Sequence, residues 1–576
     1  MSVYDTFKCI LSNEMIDIVL RHTNKKARKV YEAYNTNHPS KKQRKWIDIT
    51  ERKFDAFLGL FITSGVNQSN AQNTMHMWKT TSYPLYRASM GINRFWNILR
   101  FIRFDDANTR QERQQIDKAV PIRDIWAMLN SNLQKYYKPT ENLTVNEQLF
   151  PYRGRTKFTQ YIPSKPAKYR TKIWWICDAE NYYPLTGQIY MGKSSTRREI
   201  NQGERVVKDL VAPYKGSGQN ITTNNFFTTL PLAKHLLSWN LTLVGTLKKN
   251  KPYIPREMAP SNSREVLSTI YGFQNNVTIC SYVPKKKKSV ILLSTMHHDI
   301  ATSGEKNKPE IVHFYNKTKS GVDVMDKLLG EYSTHRKTNR WPLALFYNIL
   351  DIAALAAYLI YMANNEMIKK NDARSTFLRQ LGKELCLPII QDRSQNMQIM
   401  RHFATRSGIE CMLQKPVNVI DETTLPSTST NAVRDSTGRK KVIGACYICS
   451  SKEIRKRRKT RKACVDCNKP PQDETDMDIV DDDSNVMAKS SETPDSPGSP
   501  ALSTLSSISN QSEASVVSLP IVKRKQVTLD VTFQNQKSFY DGGSKTAEFT
   551  NNLIFMIAKD NLPVLRQWKK KVFKPS

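Results

Sequence analysis

Four cysteines and two aspartates carry the most specific chemistry in this chain of 576 residues. Cys446, Cys449, Cys464 and Cys467 form two CxxC pairs with fourteen residues between them. Thiolates so spaced can close a tetrahedral shell on one structural zinc, with no position left open for a substrate. Asp323 and Asp326, within GVDVMD at 321–326, stand three apart and share one face if the segment is a helix. His297 and His298 lie beside Asp299 in a loop-like stretch and are read as unliganded. The remaining cysteines, Cys9, Cys177, Cys280, Cys386 and Cys411, are scattered, which suits a reducing compartment better than a disulfide framework. RKRRKTRK at 455–462, between the two CxxC pairs, is a basic patch of the nuclear-localisation or phosphate-contacting kind.

The elements that must position these residues change character along the chain. Residues 1–140 read as helical. Phe95, Ile98, Leu99 and Ile102 repeat at helical spacing with Arg94, Arg100 and Arg103 interleaved, and Ile122, Ile125, Trp126, Leu129 and Leu133 follow after Pro121. From 141 short runs bounded by turn residues predict strands at 143–149, 172–178 and 186–191, a helix at 204–212, a strand at 219–223, a helix at 230–239 and a strand at 241–247. Three strands followed by alternating helix and strand is the order of an RNase H-like fold. The fold class expected is therefore mixed α/β. Residues 250–312 read as a strand-rich insertion, with a hairpin tipped by Lys285–Lys288. Residues 313–370 return to the core. Trp341 to Met362 is long and apolar enough to cross a bilayer, yet it follows the basic HRKTNR at 335–340 and reads as a buried core helix. MSVYDTFKC at the N-terminus has no apolar core of signal-peptide type.

Lys and Arg number 88 against 52 Asp and Glu, a net charge of +36. A field of that sign favours polyanions, and double-stranded DNA is the partner expected. No membrane association is expected.

Three motifs carry a resemblance to piggyBac-type transposases and the proteins derived from them, over about residues 10–370. TVNEQL at 144–149, with YRGR at 152–155 and QYIPSKPAKY at 160–169, resembles the family's catalytic opening; ITTNNFFTTLPLA at 221–233 and NKTKSGVDVMD at 316–326 resemble its later blocks. The resemblance implies a DNA-cleaving site of three aspartates holding two magnesium ions. Asn146 stands at the first position, Asn224 at the second, and the third block keeps Asp323 and Asp326. Asn brings an oxygen without charge, so the triad falls from minus three to minus one against four positive charges of metal. Glu147, Asp178 and Asp326 are the acids available as substitutes. The resemblance also implies DNA contacts at Arg153, Arg155, Lys165, Lys168, Arg336, Lys337 and Arg340, and a helical dimerisation and DNA-binding region at 1–140, hence a homodimer. Three readings follow: a nuclear transposase-derived DNA-binding protein without strand transfer, an active cut-and-paste transposase using substitute acids, or a decaying element copy.

Beyond the core, 371–440 reads as helical region and linker and 441–470 as the Cys-rich segment. The family's finger is a cross-brace needing further Cys and His, and none follows Cys467. Either the two knuckles close on one zinc or each has lost its partner. Residues 471–530 are acidic and then Ser- and Pro-rich, a disordered linker by composition. Residues 531–576 weakly resemble a hAT-type transposase helical fragment.

Overall fold

The computed structural model describes residues 1–164, 166–192, 199–365 and 372–416, with the backbone of 444–445 and 459–460. Lys165, the four CxxC cysteines, the basic run at 455–462 apart from the backbone of 459–460, and the 471–576 stretches lie outside the described residues.

The helical N-terminal region comprises α1 (Val3–Ile10), α2 (Asn13–Asn37), α3 (Glu51–Val66), α4 (Thr74–Met77), α5 (Leu85–Ser89), α6 (Ile92–Phe101), α7 (Arg110–Ile116) and α8 (Val120–Lys135). Local sequence sets the ends. Ser2 and Asp5 form a reciprocal capping box on α1, Thr50 caps α3, and Pro121 sits in the first turn of α8. Phe95, Ile98 and Ile102 are buried as their spacing requires. Arg94, interleaved among them, is buried as well. Its guanidinium lies 4.4 Å from the Trp46 ring centre and donates to Ile47 O at 2.7 Å.

A mixed sheet of nine strands follows. It contains β1 (Asn142–Pro151), β2 (Gln160–Tyr161), β3 (Tyr169–Asp178), β4 (Pro184–Ile189), β5 (Asn220–Thr223), β6 (Thr242–Thr246), β7 (Thr269–Gln274), β8 (Val277–Lys285) and β9 (Lys288–Ser294). Helices α9 (Gln202–Val211) and α10 (Leu230–Ser238) connect β4 to β5 and β5 to β6. β4, β3 and β1 run antiparallel in turn, and β5 and then β6 add parallel to β1. Apart from the two-residue β2, which was not expected, this is the succession of elements that the sequence predicts, with boundaries within three residues.

The segment 250–312 is strand-rich, as expected, and its strands join the main sheet. β9 pairs antiparallel with β6, Val244 opposite Ser294, so β9, β8 and β7 extend the same sheet. Val244, Cys280, Tyr282, Leu292, Ile311 and Val312 form their own buried cluster. The lysine-tipped hairpin is present, with Lys285 opposite Lys288 and Lys287 at a positive φ of 63°.

After the two-stranded ribbon β10 (Thr302–Ser303) and β11 (Lys308–Pro309), α11 (Glu310–Thr318) and α12 (Gly321–Glu331) return to β1, followed by α13 (Trp341–Ala363), α14 (Ala373–Ser394), α15 (Met397–Met400) and α16 (Phe403–Leu413). α13 packs among α1, α8, α12 and α14, and 89% of its most apolar window is buried. α14 lies along α3, so the late helices complete the N-terminal helical layer.

Candidate functional site

β1 runs on past the end of β5, and the parallel pairing stops at Val145 opposite Thr223. Asn146 is thus the first β1 residue without a β5 neighbour, and Asn224 the first residue after β5. The two amides meet in the notch so formed, beyond the carboxyl end of a parallel strand, where open α/β sheets place their ligands. α12 supplies the third side. It lies against β1 because its first residue is glycine: a Cβ on Gly321 would stand 2.7 Å from Thr144 Oγ1 and 3.2 Å from Asp178 O. From there Asp323 reaches Asn146 and Asp326 reaches Gln148. Successive rungs of helix face successive same-face rungs of strand.

The hydrogen bonds form a directed chain. Phe226 N–H donates to Asn224 Oδ1 at 2.8 Å, so Asn224 must turn its amide nitrogen outward. That nitrogen donates to Asn146 Oδ1 at 2.8 Å and to Glu147 Oε2 at 3.3 Å. Asn146 Nδ2 in turn donates to Asp323 Oδ1 at 3.4 Å. Reversing either amide would set nitrogen against nitrogen, so the backbone N–H at Phe226 fixes the orientation of both. A second layer lies beneath. Gln148 Nε2 donates to Asp326 Oδ1 at 2.9 Å and to Asn348 Oδ1 at 3.1 Å, while Gln148 Oε1 accepts from Trp175 Nε1 at 3.0 Å. Burial raises the Tyr315 phenol pKa, its hydrogen bond with Thr246 offsets part of that, and the Asp323 charge adds a smaller upward push.

These residues do not fit magnesium. A hard cation needs convergent, mostly anionic oxygens. Here Asn224 Oδ1 accepts from the backbone, Asn146 Oδ1 accepts from an amide, and amide N–H groups face the carboxylates of Asp323 and Glu147. Among the described residues no group of three or more His, Cys, Asp or Glu is arranged to hold a metal.

The substitute acids fare unequally. Asp178 is engaged elsewhere: it is fully buried and accepts from Tyr137 Oη, Thr140 N, Thr140 Oγ1, Glu180 N and Asn181 N, which makes it the organiser of two loops. Asp326 is tied to Gln148. Glu147 alone faces the notch beside Asp323. Gln148 and Asn348 were missed by sequence reasoning; the only signal was the Gln of TVNEQL, which looks like an ordinary polar strand residue.

The basic residues also divide. Arg153, Arg155 and Lys168 are exposed near the end of β1, around a turn in which the Tyr152 ring covers Gly154 so closely that no Cβ would fit. Lys337 is exposed. Arg336 and Arg340 are partly buried and tie internal backbone. Arg336 donates to Ser69 O, Gln72 O and Thr74 Oγ1. Arg340 donates to Leu99 O, Arg100 O and Ile102 O at the end of α6, and burial with Arg103 nearby pushes its pKa down to about 10. The His297 ring is hydrogen-bonded to Ser294 Oγ at 2.9 Å and packs edge to face on Phe314.

A family model described as Transposase IS4 matches residues 2–358. Human PiggyBac transposable element-derived protein 3 is 23% identical over 360 residues, covering 58% of this chain and 57% of the relative, so the chain spans little more than half of that protein. Human PiggyBac transposable element-derived protein 5 is 20% identical over 411 residues, covering 67% and 75%. A piggyBac transposase chain, solved as a synaptic complex with hairpin DNA, superposes with a TM-score of 0.67 at 31% identity. That alignment covers 78% of this chain and 94% of the other.

Proposed function

The chain belongs to the piggyBac-type transposase family, and from that premise we propose that it is a transposase-derived, nuclear DNA-binding protein that does not carry out strand transfer. The chain of amide hydrogen bonds from Phe226 through Asn224 and Asn146 to Asp323 carries this reading. It satisfies the remaining carboxylates with N–H donors and leaves two catalytic cations facing one charged triad member instead of three. Support for DNA comes from the net charge of +36 and from Arg153, Arg155, Lys168 and Lys337 exposed on the core. The structural relative was itself solved with hairpin DNA. The basic run at 455–462 supports a nuclear address, the four nearby cysteines one structural zinc, and the helical layer a homodimer.

Purified protein should bind duplex DNA with an affinity that falls steeply between about 50 and 200 mM salt, because each phosphate neutralised releases counterion. It should leave DNA with family-type ends uncut in magnesium or manganese. Binding indifferent to salt would exclude the electrostatic mode. Metal-dependent nicking abolished by Asp323→Ala would instead establish the active-enzyme reading, with Glu147 as the substitute ligand the geometry favours.

A further inference from the structure

On the opposite face of β1 and β3 from Asn146, a lysine is held among aromatic rings. The Lys172 ammonium lies 5.9 Å from the ring centre of Trp174, 5.6 Å from Tyr190 and 5.6 Å from Phe226. Trp174 and Tyr190 meet edge to face at 5.3 Å, which makes two walls of the cradle one rigid unit. Phe226, the third wall, is two residues beyond Asn224, and its own backbone N–H anchors the notch. A second ammonium, Lys248, stands 5.9 Å from the same Phe226 ring on an exposed stretch after β6.

Two observations make this more than a packed lysine. Lys172 is half-buried, and among the described residues neither it nor Lys248 forms an ion pair. Ring quadrupoles hold an ammonium in place without neutralising it, so its charge remains available to an anion. The Trp174 indole N–H is buried and finds no acceptor among the described residues. The cradle thus holds two unpaired cations, an unsatisfied donor and a partly exposed aromatic ring beside the notch.

We propose that Lys172, Lys248 and Phe226 form a nucleotide subsite for an unpaired stretch of DNA, with the phosphate between the two ammoniums and the base stacked on Phe226. This rests on the DNA-binding reading above. It adds a preference for single-stranded character, because a base inside a duplex has both faces already covered, whereas an unpaired base can stack on an aromatic side chain.

The test compares blunt duplex with the same duplex carrying a short single-stranded tail, using full-length protein. The wild type should prefer the tailed DNA. Phe226→Leu should weaken tailed DNA by about 10-fold, the scale of one lost base stack, and leave blunt duplex almost unchanged. Phe226→Trp should keep the preference, which separates stacking from misfolding. Lys172→Gln should weaken tailed DNA and lower its salt slope by about one. Equal affinity of the wild type for both DNAs, or a Phe226→Leu protein that binds the tail as well as the wild type does, overturns the subsite while leaving duplex binding intact. A wild type that binds neither DNA overturns both readings.

Discussion

Returning the two asparagines to aspartate should make the protein less stable without metal and metal-dependent with it. Asn146 now offers an N–H to Asp323 Oδ1 at 3.4 Å, and Asn224 one to Glu147 Oε2 at 3.3 Å. In Asn146→Asp, carboxylate oxygens would face each other at the first of these distances. Two unit charges so placed repel by about 1 kcal/mol with the screening of bulk water and about 5 kcal/mol at an effective dielectric near 20. Asp323 is exposed, which puts the cost toward the lower figure, about 1–2 kcal/mol. Asn224→Asp adds a like contact with Glu147 and also removes the donor that now orients Asn146. The double variant should therefore melt lower than the parent in chelator. Millimolar magnesium should raise its melting temperature, since at a hundred times Kd a ligand of the folded state contributes about 2.7 kcal/mol. The parent should not respond, and Asn146→Asp alone should gain little metal affinity. The assay is thermal melting with and without magnesium, paired with calorimetric metal titration. A double variant as stable as the parent in chelator and deaf to magnesium would refute both the amide chain and the convergence of these residues on one site.

Three other expectations follow from single contacts. Gly321→Ala should cost about 1–3 kcal/mol, as overpacking in a tight core does, because the new methyl meets Thr144 and pushes α12 off β1; chemical denaturation would show it. Asp351, buried on α13 and bonded to Ser333 Oγ and Thr334 N–H, has its pKa pushed up to about 7 by burial. Its folded pKa exceeds the unfolded value near 4, so its stabilising contribution is full below about pH 4 and lost as pH rises through about 7. Asp351→Asn should flatten stability across that window in denaturant titrations at successive pH. Metal analysis of the full chain should find one zinc per chain, lost in Cys464→Ser; a metal-free wild type would mean that the CxxC pairs are orphaned halves.

The succession of elements through β6, β2 apart, was legible because each strand there is a short apolar run closed by turn residues, and the meeting of Asn146, Asn224 and Asp323 because the motifs fix their order along the chain. The pairing of β9 with β6 was not. Residues 245 and 293 sit opposite each other, and no local pattern specifies a partner so distant in sequence. Nor could residue type separate Arg336 and Arg340 from Lys337. A cationic side chain that ties backbone carbonyls and one left exposed look alike until the carbonyls are in place. The orientation of the amides depends on one backbone N–H at Phe226, which no side-chain motif records.

The burial of α13 also bears on biosynthesis. Its apolar stretch is as long as a bilayer span, and its cover includes α1 and α8, which leave the ribosome more than two hundred residues earlier. The shelter is therefore made before the segment that needs it. A chain begun downstream of α1 would expose part of the most apolar helix in the described structure, inviting membrane insertion machinery and chaperones to compete for it. The N-terminal helices thus act as an internal escort for a segment whose composition would otherwise send the protein to the wrong solvent.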